Sequence, residues 1–341
     1  MTLQQPRTAE YGEPYGTATL RVLIWHVHGS WTTSFVHGRH RFLLPVDADR
    51  GADGRGRART WDWPDNAVEV TAEHLADEPV DVVVLQRPHE LELAERWLGG
   101  RKPGRDVPAV YVEHNTPRGG VPETRHPLAD RSDIPLVHVT HFNELFWDSG
   151  RAPTTVVEHG VVDPGYRYTG QIERAGVVIN EPLRRGRITG TDLLPDFSRA
   201  AALDLFGMGV AGAPASLGLS PERLRAYEDL PQQRLHTELA RRRVYLHPLR
   251  WTSLGLSLIE AMLLGMPVLA LATTEASEAI PPDAGLATTR AGELHRELRD
   301  LLNDPDRAAE QGRAARRAAQ HRYSVDRFLD DWDRLLQEVT R

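Results

Sequence analysis

Residues 244–272 read VYLHPLRWTSLGLSLIEAMLLGMPVLALA. A short apolar run ends in His247-Pro248, and a loop with one glycine, Gly255, follows. Ser257 then opens a helical pattern through Glu260, Ala261, Met262 and Leu263, and Gly265 stops it. Met266-Pro267 leads into a second apolar run, Val268 to Ala272, which reads as a strand buried on both faces. A glycine loop feeding a helix start between two parallel strands presents free N–H groups and a positive helix end. That arrangement suits a phosphate or pyrophosphate. Ser257-x-x-Glu260 also fits a capping box, in which the glutamate closes the helix N-terminus.

The same alternation extends in both directions. Upstream, Arg21 to His26, Val82 to Leu85, Ala109 to Val112 and Leu136 to Val139 read as strands, with helices at Ala72 to Ala76 and Leu91 to Leu98 between them. Residues 46–65 carry turn residues and charge and read as a loop. A second series follows: strands at Val177 to Ile179, Ala202 to Phe206, Val244 to Leu246 and Val268 to Leu271, with a helix at Leu235 to Arg241. After Asp304-Pro305, helices are expected at Arg307 to Ala319 and Val325 to Val339; the last carries Phe328, Leu329, Trp332, Leu335, Leu336 and Val339 on one face. Strands alternating with helices imply an α/β fold with parallel sheets. The expected division is a loose arm at 1–19, a Rossmann-like half at 20–160, a linker at 161–173, a second Rossmann-like half at 174–322, and a helix at 323–341 crossing back to the first half.

Composition narrows the classes. The chain has 341 residues, room for two domains. A formal charge of −7 argues against a general nucleic-acid or anionic-membrane binder. No apolar run is long enough for a transmembrane segment, and the start of the chain lacks the apolar core of a signal peptide, so a cytoplasmic address is expected. There are no cysteines, which removes disulfides, thiol nucleophiles and thiolate metal sites. His26-Val27-His28 has no matching carboxylate cluster, so no metal is expected. Lys102 is the only lysine, so a phosphate site that relatives build with lysine must here be built with arginine or left weaker.

The opening stretch resembles the nucleotide-binding signature of family 4 glycosyltransferases, E-G-F-G-L-x-x-x-E-A-M-A-x-G-x-P-V-V-A. Gly255-Leu256, Glu260-Ala261-Met262, Gly265, Pro267-Val268 and Ala270 match in register, whereas Thr252 stands where the family has its first glutamate. The segment VVEHGVVDP (156–164) is similar to the family's V-I-P-N-G-V-D at the domain junction, and YSVDRF to its closing helix. The resemblance implies the GT-B fold, two Rossmann-like domains facing a central cleft. Only SWTTSFVHGRH separates His28-Gly29 from RFLLPV, so the acceptor half is trimmed relative to the family.

In open parallel sheets ligands gather beyond the C-terminal strand ends. Those ends deliver His26, His28 and Gly29; Gln86 and Arg87; Glu113, His114 and Asn115; Thr140 and His141; and Asn180, Glu181 and LRRGRITG. The resemblance implies that Glu260 holds the donor ribose and that the backbone at Gly255 and Leu256 meets the diphosphate. It places Thr252 by the sugar, Arg184 at the arginine of a G-R-x-x-x-x-K-G pattern, and Thr189 at its lysine, which Arg187 is expected to replace. Arg185 adds to this basic cluster. His114 falls where the family has a histidine near the reacting sugar. His28, Gly29, Arg87 and His141 are expected on the acceptor side. The implied activity is transfer of a sugar, of hexosyl type, from a UDP-, GDP- or TDP-linked donor to a hydroxyl acceptor, with retention and without a metal or other cofactor. Two alternatives are a catalytically silent GT-B scaffold that binds a nucleotide or sugar, and a sugar-nucleotide epimerase.

Overall fold

A computed structural model describes residues 18–341, and most of the expected arm at 1–19 lies outside them. Among the described residues thirteen strands form two all-parallel sheets. The first contains β1 (Arg21–Ile24), β2 (Arg41–Pro45), β3 (Ala67–Val70), β4 (Val82–Leu85), β5 (Ala109–Glu113), β6 (Leu136–His138) and β7 (Thr154–Val156), in the order β3-β2-β1-β4-β5-β6-β7. The second contains β8 (Ile172–Val178), β9 (Leu203–Gly207), β10 (Leu224–Glu228), β11 (Arg242–His247), β12 (Val268–Leu271) and β13 (Gly285–Thr288), in the order β10-β9-β8-β11-β12-β13. Both orders reverse beside their first strand, the switch point at which doubly wound sheets bind ligands.

Each sheet is covered on both faces, which is why its central strands are apolar throughout. In the first, Val22, Ile24, Val82, Val84, Val110 and Val112 face the helices Gly29–Val36 and Val325–Val339. Leu23, Val83, Leu85 and Tyr111 face the other way, with Leu75, Ala94 and Leu98. In the second, Val177, Leu205, Val244 and Leu269 pack with Phe197, Leu294 and Leu298, while Tyr245, Val268 and Ala270 pack with Leu258, Met262 and Ala315. At the starting ends of β8, β9 and β11, Asp204 binds Arg174 (2.5 Å) and Arg242 (2.7 Å), and Arg242 also reaches Glu238 (2.8 Å). All three groups that meet at Asp204 are buried, and their charges satisfy one another far from the cleft.

The helix Val325–Val339 packs against the first sheet. Phe328, Trp332 and Leu336 complete the core of the first half, where Trp332 meets Trp31 edge to face with ring centres 5.7 Å apart. Other boundaries shift. β8 begins at Ile172, inside the stretch read as linker. The short SWTTSFVHGRH span still holds a full helix, Gly29–Val36. Five strands (β2, β3, β7, β10, β13) and the helix Ala291–Asn303 were not foreseen. Among the described residues no helix is long and apolar enough to cross a membrane.

Candidate functional site

β11 ends at His247, which is buried, and the chain then runs out over the first half before turning into the helix Leu256–Leu264. Three contacts fix that excursion. The Trp251 indole N–H donates to the Pro117 carbonyl (2.9 Å), the Ser253 hydroxyl donates to the His114 carbonyl (2.7 Å), and Leu256 packs against the cores of both halves. The helix starts at Leu256, with Gly255 as N-cap, one residue earlier than the sequence pattern suggests. A side chain at 255 would collide with the His247 ring, whose Cε1 would lie 2.5 Å from the new Cβ. Gly265 closes the helix at φ +89°, a conformation that glycine adopts without strain.

The capping-box reading of Ser257 and Glu260 fails. The Ser257 hydroxyl accepts from Tyr245 (2.9 Å), and no side chain caps the helix. Glu260, a turn further in and only 5% exposed, receives the Ser30 hydroxyl on Oε1 (3.3 Å) and has His236 Nε2 3.5 Å from Oε2. Ser30 belongs to the first half and His236 to the second, so this carboxylate sits at the seam between them.

The basic loop after β8 differs in detail from the sequence expectation. Glu181 adopts φ +53° and holds Arg184, whose side chain is 73% exposed. Arg187, 77% exposed, pairs with Asp192 (2.9 Å), which is shared with Arg250. The Arg185 side chain is half-buried and makes no hydrogen bond or ion pair among the described residues, although the Glu181 carboxylate acts on it at longer range. Burial, with Arg184 and then Arg118 of the first half adding repulsion, holds its guanidinium pKa below the ordinary value. Thr189 is fully buried, its hydroxyl bonded to the Gly186 carbonyl (3.2 Å) and to Thr191 (3.0 Å), so it presents nothing to the cleft. Thr252 is half-buried beside Trp251, on the same excursion.

On the facing half, the His114 ring donates through Nε2 to Gln86 Oε1 (3.1 Å), lies 4.1 Å from the His28 ring and touches the edge of Trp31. Burial keeps it neutral, with a pKa well below the usual imidazole value, and burial likewise lowers His28 to about 4. A third imidazole, His159, joins them. It is 4% exposed, both its ring nitrogens lack partners, and burial brings its pKa to about 3. His28 stands at the N-cap position of the helix that opens at Gly29 without a side-chain capping bond, and a side chain added at Gly29 would meet open space. Arg87 is spent on Glu90 (2.6 Å) and Asp53 (2.9 Å). His141 is exposed at the start of the helix His141–Phe146. His26 is bonded to the Gly56 carbonyl (3.0 Å) and lies against Trp63.

Glu260, Gly255, Leu256, His114 and His28 thus meet at the seam, whereas Arg184, Arg187, Thr189 and Arg87 are held by neighbours within their own half. Sequence reasoning missed Ser30, His159, His236 and Arg118. Of these only His159 left a trace, because it stands where the resembling family has asparagine in VVEHGVVDP. No group of three or more His, Asp or Glu among the described residues is arranged to hold a metal. A groove of about 440 Å³ lies away from the cleft, but its charges satisfy each other, Lys102 with Glu95 and Arg131 with Asp133.

Two facing Rossmann-like sheets with a C-terminal crossing helix define the GT-B fold, and solved structures agree. Sucrose-phosphate synthase from Thermosynechococcus elongatus superimposes with a TM-score of 0.69 at 12% identity, over 94% of this chain and 99% of that one. Anabaena HepE in complex with UDP and glucose gives 0.67 at 15%, over 94% and 100%. TarM gives 0.59 at 14%, and there the chain spans 75% of its own length but only 54% of TarM. Residues 219–318 match the family described as glycosyl transferases group 1. No curated protein matches the chain by sequence.

Proposed function

We propose that the protein is a glycosyltransferase that moves a sugar from a nucleotide-sugar donor to a hydroxyl acceptor, of hexosyl type and with retention. The observation that carries this reading is the place of Glu260: a buried carboxylate one turn into the helix after β11, at the seam of a GT-B fold. The glycosyl transferases group 1 match spans this segment, and the HepE neighbour was crystallised with UDP and glucose, which supports a nucleotide-sugar co-substrate.

In this reading Glu260 accepts the ribose hydroxyls. The N-terminus of Leu256–Leu264, beginning at Gly255, faces the diphosphate, where its free N–H groups offset negative charge. Arg185 is the cation left to meet it, and charge on the leaving phosphate grows as the glycosidic bond breaks, so a guanidinium there favours the transition state over the ground state. The acceptor oxygen bonds to the anomeric carbon on the face the phosphate leaves, and its proton passes to a phosphate oxygen. No protein base and no metal or cofactor takes part. Neutral His114, its Nε2 engaged by Gln86, orients a sugar hydroxyl through its other nitrogen. Thr252, in place of a glutamate, gives a sugar pocket without that charge. The reaction belongs to a cytoplasmic enzyme.

Calorimetric titration tests the core of this. Glu260→Gln should weaken UDP or GDP binding at least tenfold with the melting temperature nearly unchanged, and unchanged affinity would remove the ribose role. Product assays then separate the classes: transfer requires an acceptor, epimerisation does not, and a silent scaffold gives neither.

A further inference from the structure

We infer that Arg118 completes the diphosphate site: its guanidinium meets the nucleotide diphosphate from the first half while Arg185 meets it from the second, so that each half gives the leaving group one arginine. This rests on the donor reading given above. Arg118 lies in the loop after β5, far in sequence from the basic loop that follows β8.

One residue ties those two loops together. The Trp251 backbone N–H donates to the Ile188 carbonyl (3.1 Å), beside the N–H of Arg250 (2.9 Å), and the Trp251 indole donates to the Pro117 carbonyl (2.9 Å). Pro117 immediately precedes Arg118, and Ile188 stands three residues after Arg185. Hydrogen bonds to backbone on both sides of Trp251 therefore fix where the two arginines begin. The Arg118 charge is near enough to weigh on Arg185 across the seam.

Nothing on the protein neutralises Arg118. Its carbonyl accepts from the Thr124 hydroxyl (3.0 Å), but its side chain is exposed and makes no hydrogen bond or ion pair among the described residues. The other cations around it are engaged: Glu181 holds Arg184, and Asp192 holds Arg187 and Arg250. There is room beside both arginines, because a side chain added at Gly119, after Arg118, or at Gly186, after Arg185, would meet open space. Two like charges held near one another repel unless an anion lies between them. A diphosphate removes that repulsion, and each planar guanidinium offers its oxygens a pair of N–H donors. The charge that grows on the leaving phosphate is then met from both sides, and the site is complete only with both halves in place.

Calorimetric titration of the full chain with UDP, GDP and TDP, each beside its nucleoside, tests this, because the free diphosphate carries the charge that the leaving group acquires. Arg118→Ala should weaken the diphosphate that binds best about tenfold, as loss of a charged hydrogen-bond donor does, and leave its nucleoside unaffected. Arg118→Lys should recover part of the loss. Arg118→Glu, which puts a carboxylate beside Arg185, should lose more than Arg118→Ala. The side chain is exposed, so all three variants should melt as wild type does. Unchanged diphosphate affinity in Arg118→Ala, with a loss in Arg185→Ala, overturns the inference and leaves the donor reading intact. An equal loss for nucleoside and diphosphate in Arg118→Ala also overturns it, since the effect is then not on phosphate. Unchanged affinity in both alanine variants, or a wild type that binds none of the three diphosphates, overturns the donor reading and the inference with it.

Discussion

A half-buried guanidinium with no ion pair of its own is poorly compensated, and Arg185 is in that state, with Glu181 acting on it only at longer range, while Arg184 and Arg187 are paired. In steady-state kinetics, Arg185→Ala should lower kcat more than it raises the donor KM, by about 2–4 kcal/mol in the barrier if it acts as a lost charge-stabilising donor does. Arg184→Ala and Arg187→Ala should change kcat by less than tenfold; a larger loss in either than in Arg185→Ala would move the diphosphate outward along the loop. Thr252→Glu should impair the native donor by adding a charge with a desolvation cost, and a panel of nucleotide sugars would show whether another donor is admitted. Glu260 and Gly255 were legible because register along one segment locates them. Arg185 was named only as one member of the basic cluster and was not set apart from Arg184 and Arg187, because the difference depends on Glu181 turning to φ +53° and taking Arg184. Ser30 and His236 were invisible for a different reason: each meets Glu260 across a long interval of chain.

The elements were legible where both faces are buried. β1, β4, β5, β11 and β12 read as unbroken apolar runs. Of the five unforeseen strands, β3, β7, β10 and β13 are the four sheet edges, where sequences such as AVEV, TTV, LRAYE and GLAT carry no run to detect. The helix Ala291–Asn303 buries only Leu294, Leu298 and Leu301 among many charges, so its stripe is narrow. By contrast, Val325–Val339 announces itself, and it completes a core that belongs to distant strands. Trp332→Ala should therefore cost about 3–5 kcal/mol in urea unfolding, a loss expected of a large core side chain rather than of a peripheral helix. A cost under 1 kcal/mol would mean that the helix is docked only loosely.

At the scale of the whole molecule, neutral imidazoles tie stability to pH. His28, His114 and His159 lie together at the seam, and burial depresses each pKa below the ordinary imidazole value. Their contribution is complete above about pH 6.5, where the unfolded chain is also neutral, and is lost as pH falls toward 4, because the unfolded state then binds protons that the folded state refuses. His159 alone should cost about 2 kcal/mol at pH 5 relative to pH 7.5. Urea midpoints at the two pH values should differ less in His159→Phe than in wild type; equal differences would mean that the ring charges freely in the folded protein. The general two-sheet plan was readable from alternation and one motif, but the seam was not, since its partners come from loops with no pattern of their own. The crossing helix has one more consequence, which concerns synthesis. Trp31 and Trp332 touch in the finished protein, yet at about 5–20 residues per second the ribosome makes them roughly 15–60 s apart. For that interval the nascent first half carries Trp31, Phe35 and Phe42 without their cover, so its apolar flank must be shielded by chaperones or by transient contacts until translation reaches the helix that seals it.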